Sequence, residues 1–221
     1  MLGIYFLFFL VVQVTSLVSN LGLTQALVTK VNEQERPDAV FSATLAVVTA
    51  VVLVITAAVY LFRTPLADYI GADVPLLIAT ATASWLVADI QKTGLEAEDR
   101  VLTSGLLQLT EDVLRVGVGG VLITIGFGPV GLMYGIIAGF AGSAVIGYLM
   151  TGLAVVLPRK EDFRRIFSVS RYTMVYGPTN FMYFWLDTYM IGLLIGPAAV
   201  SAYEVGWNTT RVLIIATSAI S

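Results

Sequence analysis

Long apolar stretches separated by short polar breaks run through the whole chain. We predict transmembrane helices at about residues 4–28, 39–62, 74–93, 101–126, 129–156, 173–195 and 198–221. Each stretch is long enough for a helix to cross a hydrocarbon core of about 30 Å. The breaks contain charges or the turn-forming residues Gly and Pro, as at Pro37, Pro65 and Pro197. This pattern predicts an all-α, polytopic membrane helix bundle of about seven transmembrane helices.

Composition supports a membrane protein and excludes several other classes. Hydrophobic residues make up 57% of the chain and charged residues 12%, against about 25% charged residues in soluble domains. The net charge of −3 argues against nucleic acid as a partner. The absence of Cys and His excludes disulfides and thiolate metal sites and removes the commonest general base. Since no Ser or Lys has an activating partner either, we predict neither a catalytic site nor a metal or cofactor, and no enzymatic activity.

The distribution of basic residues predicts an orientation in the membrane. If alternate loops are cytoplasmic, Met1 lies outside and only Arg63 is a basic loop residue on that outer side. We expect both ends of the chain to be cut, with one helix missing before Met1, because neither terminus has a polar flank. The basic loop residues on the cytoplasmic side are Lys30, Arg36, Lys92, Arg100, Arg159, Lys160, Arg164, Arg165 and Arg171.

The polar segment 158–172 is the candidate linker between two parts of the chain. Read as a helix, it places Phe163, Ile166, Phe167 and Tyr172 on one stripe and most of its basic residues elsewhere. Such a helix would lie in the cytoplasmic interface with its apolar side toward the acyl chains. We therefore predict an N-terminal lobe over 1–157, an interfacial linker over 158–172 and the start of a C-terminal lobe over 173–221.

The fourth predicted span carries four polar residues on one face. Gln108, Glu111, Asp112 and Arg115 are spaced at i, i+3, i+4 and i+7. A charge in the middle of a bilayer costs at least about 2.5–3.5 kcal/mol, so Arg115 should face a partner or a hydrated cavity. An internal pair with Glu111 or Asp112 would satisfy the charge locally, but we favour a cavity-lining role.

The last two spans carry a second polar set with similar spacing. Arginines beside carboxylates would suit an anionic substrate such as a pyrophosphate, because the guanidinium can bind phosphate oxygens in a bidentate manner. Structural hydrogen bonds between helices are an equally open alternative. The residues of this set are Asn180, Tyr183, Asp187, Glu204, Asn208 and Arg211.

Three further patterns concern sugars and helix packing. Asn20 shares a face of the first span with Gln13 and Ser16, and these side chains could contact sugar hydroxyls or bridge helices. Aromatic residues of the last two spans could stack on sugar rings or lie in interfacial belts. Small residues at four-residue spacing in the fifth span favour close helix packing. The aromatic residues are Tyr183, Trp185 and Tyr203, and the small ones are Gly131, Gly135, Gly139 and Ser143.

Three stretches resemble a known family. They are LGIY at 2–5 with SNLGLTQAL at 19–27, Arg100 with GFGPVGL at 126–132, and LDTYMIG at 186–192 with AVSAY at 199–203. They are similar to polysaccharide flippases of the multidrug/oligosaccharidyl-lipid/polysaccharide exporter superfamily, although Ser201 and Ala202 stand where that family has a glycine. In this resemblance Asp187 is the best-matched polar residue.

The resemblance implies a transporter of twelve to fourteen helices in two lobes, of which this chain would be roughly the second to the eighth helix. It implies movement of polyprenyl-linked oligosaccharides across the cytoplasmic membrane by alternating access, with coupling to H⁺ or Na⁺ left open. A multidrug exporter of the same superfamily is the main alternative. An integral-membrane glycosyltransferase is disfavoured because no long extramembrane loop is present.

Overall fold

The computed structural model describes the backbone of residues 2–20, 22–33, 36–173 and 176–218. It describes the side chains of these residues except 32–33, 174–184 and 211–218. The described residues form helices and irregular segments, without a strand. The helices are α1 (Leu2–Asn20), α2 (Leu23–Glu33), α3 (Pro37–Leu61), α4 (Arg63–Ile70), α5 (Pro75–Ala97), α6 (Val101–Thr124), α7 (Pro129–Met150), α8 (Lys160–Thr173), α9 (Tyr176–Leu194) and α10 (Pro197–Ser218).

The predicted all-helical bundle is confirmed, and the seven predicted spans are occupied by α1 with the start of α2, and by α3, α5, α6, α7, α9 and α10. Two differences matter most for the fold. The first span is divided into α1 and α2 near Gly22, whose φ of 72° lies in the left-handed region that favours glycine. The fifth span ends at Met150 instead of continuing to 156. Pro37, Pro75 and Pro129 stand in the first turns of their helices, where a missing N–H does not remove a hydrogen bond.

Length and composition of the described helices support a membrane protein. The helices α1, α3 and α7 are long and apolar enough to cross a bilayer. The bent pair formed by α4 and α5, which meet at 91°, adds a fourth span if it is one broken element. At 24 residues, α6 is about 36 Å long, but Glu111, Asp112 and Arg115 interrupt its apolar character. The outer surfaces of α3 and α6 expose aliphatic side chains such as Leu53 and Leu102, as expected of faces that contact lipid.

Glycines of α7 bring this helix into close contact with α6. A Cβ atom added to Gly135 would lie 2.5 Å from the carbonyl oxygen of Arg115, and one added to Gly139 would lie 2.7 Å from that of Glu111. Gly131 has a similar close approach to Leu122. The packing role predicted for these glycines therefore agrees with the structure, and it places the backbone of α6 at the segment that carries Arg115.

Helix α8 packs on α2 and α3. Its residues Asp162, Ile166 and Ser170 are buried, and Ile166 belongs to a core cluster with Leu23 and Phe41. Phe167 and Tyr172, by contrast, are exposed. The predicted apolar stripe is therefore divided, because Ile166 faces the protein while the two aromatic residues face outward.

The residues between α7 and α8, 151–159, form an extended segment that side chains hold in place. The amides of Gly152, Ala154 and Val156 donate to Glu98, Asp38 and Ser42, at 3.1, 2.9 and 2.8 Å. These bonds replace the internal hydrogen bonds of the helix predicted there, since exposed backbone groups in or near a membrane need partners.

Candidate functional site

A cavity of about 650 Å³ lies between α1, α6 and α7 on one side and α9 and α10 on the other. Its size falls within the range of about 300–1,000 Å³ that is typical of ligand pockets. The lining residues come from five helices and combine aromatic, aliphatic and polar side chains. They are Tyr5, Phe6, Phe9, Gln13, Arg115, Val116, Gly120, Leu132, Trp185, Glu204, Trp207 and Asn208.

Aromatic rings form much of the cavity wall. The rings of Tyr5 and Phe9 stack with centroids 6.5 Å apart, and Phe9 meets Trp185 of α9 edge to face at 5.7 Å. Trp207 of α10 also lines the cavity. Since aromatic faces bury apolar surface and Trp can also donate a hydrogen bond, this wall offers surface for the apolar faces of a ligand.

Arg115 provides the positive charge in the described lining of the cavity. Its Nη2 atom lies 2.7 Å from Oδ1 of Asp112, and its side chain is 32% exposed. This contact uses one of the five N–H groups of a guanidinium. The sequence left open whether Arg115 pairs with a neighbouring carboxylate or lines a cavity. In the structure it does both.

Glu204 provides the negative charge in the described lining, and other side chains enclose it. It is 4% exposed. The hydroxyl of Thr188 donates to Oε1, and the amide nitrogen of Asn208 lies 3.3 Å from Oε2 and 2.8 Å from the Glu204 carbonyl oxygen. Because its carboxylate already accepts bonds from both neighbours, Glu204 is less available to a ligand than Arg115.

Glu111 and Gln108 lie outside the cavity lining, although they were predicted on the same face as Arg115. The Nζ atom of Lys92 is 3.0 Å from Oε2 of Glu111 and 2.8 Å from Oε1 of Gln108. These two residues therefore turn toward α5, while Asp112 and Arg115 turn toward each other. The sequence analysis counted Lys92 among the basic loop residues, so it did not predict the ion pair between Lys92 and Glu111.

Two other predicted site residues make their contacts elsewhere. Asn20 donates to Oδ2 of Asp89 at 3.2 Å, and its own Oδ1 accepts from the amide and hydroxyl of Thr24 at 3.3 Å. Asp187 accepts a hydrogen bond from the hydroxyl of Tyr203. Neither residue lines the cavity. The side chains of Asn180, Tyr183 and Arg211 lie outside the described residues.

The sequence analysis missed several aromatic residues of the cavity. Tyr5, Phe9 and Gln13 follow one another at four-residue spacing, which places them on one face of α1. That spacing was a usable signal, but in an apolar helix it does not distinguish a cavity wall from core packing. The described residues contain no group of three or more acidic, Cys or His side chains that could hold a metal ion.

One end of the space between the two groups of helices is closed by direct contacts. A Cβ atom on Gly3 would overlap the carbonyl oxygen of Pro197, so α1 and α10 touch at their N-terminal ends. The Tyr69 hydroxyl lies 3.4 Å from the carbonyl oxygen of Tyr189, and their ring centroids are 6.0 Å apart. These contacts join α1 and α4 to α9 and α10 at the end where the chain starts.

The fold and the cavity define a polytopic helical membrane protein with a polar and aromatic interior site. A sequence profile of the family described as "Polysaccharide biosynthesis protein" matches residues 2–221. The chain therefore belongs to this family.

Two curated proteins of Haloferax volcanii are similar to this chain. The "Probable low-salt glycan biosynthesis flippase Agl15" is 23% identical over 220 residues, which are 100% of this chain and 47% of that protein. The "Probable flippase AglR" is 25% identical over 202 residues, or 90% of this chain and 42% of that protein. The chain thus spans about half the length of the curated relatives it matches. No solved structure shows a significant match.

Proposed function

We propose that this chain forms part of a flippase that moves a polyprenyl-linked oligosaccharide across the cytoplasmic membrane for glycan biosynthesis. The observation that carries this proposal is the cavity in which Arg115 and an aromatic wall face each other between two groups of helices. The names of the two relatives, both flippases and one of glycan biosynthesis, agree with it.

The chemistry of the cavity suits the head of such a lipid. Arg115 would bind the phosphate or pyrophosphate, since charge-assisted hydrogen bonds to phosphate oxygens are strong. Tyr5, Phe9, Trp185 and Trp207 would pack against the sugar rings, and Gln13 would bind a hydroxyl group. The polyprenyl tail would stay in the bilayer, because the cavity volume can hold only the polar head.

Alternating access would move the head between the two leaflets. We assign residues 1–157 and 173–221 to the two moving lobes and 158–172 to the linker between them. Following the basic loop residues, we place Met1 outside and the linker in the cytoplasm. In that orientation the contacts of Gly3 with Pro197 and of Tyr69 with Tyr189 close the outer end of the cavity.

A transport assay tests this function. The protein is reconstituted in proteoliposomes with a fluorescent polyprenyl-pyrophosphate oligosaccharide, and an added glycosidase reports how fast the sugar reaches the far side. Arg115→Ala should lower the rate about tenfold or more, because a hydrogen bond to a charged group contributes roughly 1.5–3 kcal/mol. Arg115→Lys should retain part of the rate, and the exposed Arg63→Ala should be close to wild type.

Two results would contradict the proposal. Wild-type protein that moves none of several lipid-linked glycans but exports small cationic dyes would indicate a multidrug exporter. Equal rates for Arg115→Ala and Arg63→Ala would show that the cavity cation does not bind the substrate.

A further inference from the structure

A second group of polar and ionisable side chains lies between α1, α5 and α6, outside the cavity lining. Asn20 of α1 contacts Asp89 of α5, and Lys92 of α5 contacts Gln108 and Glu111 of α6. Gln108 also donates to Oε1 of Glu111 at 3.2 Å. We call these five residues the polar seam.

The charges of the polar seam do not balance. Lys92 and Glu111 form an ion pair in which the side chains are 14% and 4% exposed. Asp89 receives a single described hydrogen bond, from the amide of Asn20. The seam therefore carries one ammonium and two carboxylates, and its net charge is −1 if Asp89 is ionised. A carboxylate with one neutral donor is costly in the interior of a membrane protein, and such residues mark proton or ion pathways.

Lys92 is the positive charge that acts on Asp89, but it is paired with Glu111, and the other charged groups around α5 do not compensate Asp89. Glu96 of α5 adds a further negative charge near it, and its Oε1 accepts from the hydroxyl of Ser104. Helices α1 and α7 contain no Asp, Glu, Lys or Arg. On α3, Asp38 binds the extended segment. On α6, the remaining charges, Asp112 and Arg115, pair with each other, and the basic residue of α2, Lys30, lies at the last turn of its helix.

An unpartnered hydroxyl lies beside the seam. Ser16 is fully buried, and its Oγ atom has no hydrogen-bond partner among the described residues. It is four residues before Asn20, so it lies one helical turn away on the same face of α1. That face meets α5 through the contact of Asn20 with Asp89, and the neighbouring Thr15 adds a 2.7 Å hydrogen bond to Thr82. A fully buried hydroxyl without a partner is uncommon, and it leaves an unused polar group one turn from the seam.

We propose that Asp89 is a proton-binding site and that its protonation adjusts the junction of α1 and α2. A proton from water binds a carboxylate oxygen of Asp89 and brings the seam from a net charge of −1 to neutrality. Asn20 links the protonation of Asp89 to the junction of α1 and α2, because it donates to Asp89 and accepts from Thr24 at the start of α2. Helix α1 also lines the cavity through Tyr5, Phe9 and Gln13, so proton binding can act on the substrate site; this last step rests on the proposed function.

Infrared difference spectroscopy of the purified protein tests protonation without any transport. A pH titration in D₂O should show a carboxyl C=O band that grows in as the pH is lowered, and Asp89→Asn should lose this band. The matched control Asp73→Asn, at an exposed residue between α4 and α5, should retain it. Glu111→Gln should move the titration of the band to lower pH, because it releases Lys92 to pair with Asp89.

A band that remains in Asp89→Asn, or the absence of such a band in wild type, would overturn the inference. So would an unchanged titration in Glu111→Gln, since it would mean that Lys92 does not govern the charge at Asp89.

Transport measurements separate this inference from the proposed function. Wild-type transport should change with pH across the range in which the infrared band titrates, and Asp89→Asn should transport at a rate independent of pH. If the band behaves as expected but no lipid-linked glycan moves, the proton site stands and the flippase proposal fails. If glycan moves with the same pH dependence in both proteins, Asp89 is not coupled to transport.

Discussion

The contact between α6 and α7 makes a quantitative prediction about Gly135. In Gly135→Ala the new Cβ would lie 2.5 Å from the Arg115 carbonyl oxygen and 2.8 Å from Cα of Gly119, where ordinary contact begins at 3.4 Å. Both neighbours are backbone atoms, so no side-chain rotation can relieve the overlap. The two helices would have to separate by about 0.9 Å along this direction, with loss of packing around the new methyl group.

The expected change in the free energy of unfolding of Gly135→Ala follows from two opposing effects. Overpacking of this kind costs about 1–3 kcal/mol, and replacing a helical glycine by Ala returns about 0.5–1 kcal/mol. We therefore expect Gly135→Ala to lower stability by about 1–2 kcal/mol, which corresponds to roughly 2–8 °C in Tm for a chain of this size. Thermal unfolding in detergent, followed by tryptophan fluorescence, measures the shift.

Gly117→Ala is the matched control. Gly117 lies on α6 itself, and a Cβ there would meet nothing within 4 Å. This variant should therefore gain the helix propensity alone and raise Tm by about 2–4 °C. If both substitutions raised Tm equally, the close approach of α6 and α7 would be refuted. Gly135→Ala should also slow transport more than Gly117→Ala does, because the helix that it displaces carries Arg115.

Three further predictions test other contacts. Lys92→Met should lower stability by about 3–5 kcal/mol because it leaves Glu111 buried without its cation, and the double variant Lys92→Met/Glu111→Met should recover most of the loss in the same unfolding assay. Since the chain contains no Cys, Cys residues can be introduced at Tyr69 and Tyr189 and joined through two disulfides by a short bis-methanethiosulfonate. This cross-link should stop transport until a reductant cleaves the disulfides; unaffected transport would exclude opening at this end. Asp38→Ala should make the extended segment more susceptible to limited proteolysis, whereas an unchanged cleavage rate would show that this hydrogen bond does not hold it.

The sequence was sufficient to predict the helices, because an apolar stretch of span length permits few other structures in a membrane. It was less informative about where helices stop. The polar signal near Gly22 was read as part of a continuous span, although a glycine in the left-handed region interrupts it. The segment after Met150 is apolar enough for a helix, yet it is extended because Asp38, Ser42 and Glu98 supply partners for its amides. Those partners are distant in sequence, and no local pattern indicates them.

The sequence predicted some contacts of the candidate site and missed others, because ionisable residues inside a helix bundle can pair with side chains of other helices. Helical spacing correctly indicated that Arg115 and Asp112 could interact, and the cost of a charge in the bilayer indicated that Arg115 needed a polar environment. The same spacing allowed Glu111 as a partner, but Lys92 of α5 takes that carboxylate. Lys92 stands next to the end of the third predicted span, at residue 93, and was counted with the basic loop residues, whereas α5 continues to Ala97.

The pairing of Glu111 with Lys92 also explains how two polar groups with different chemistry can share α6. With Glu111 neutralised by Lys92 from α5, Arg115 does not need it, and among the described residues the guanidinium pairs with the half-exposed Asp112. The ion pair with α5 and the glycine contacts with α7 hold α6 from two directions, so the rotation of α6 about its axis is restricted. Arg115 can then be presented to the cavity while Gln108 and Glu111 stay turned toward Lys92 of α5. Under the proposals above, a proton-coupled transporter of an anionic lipid head would require this separation of the phosphate-binding cation from the proton-binding carboxylate.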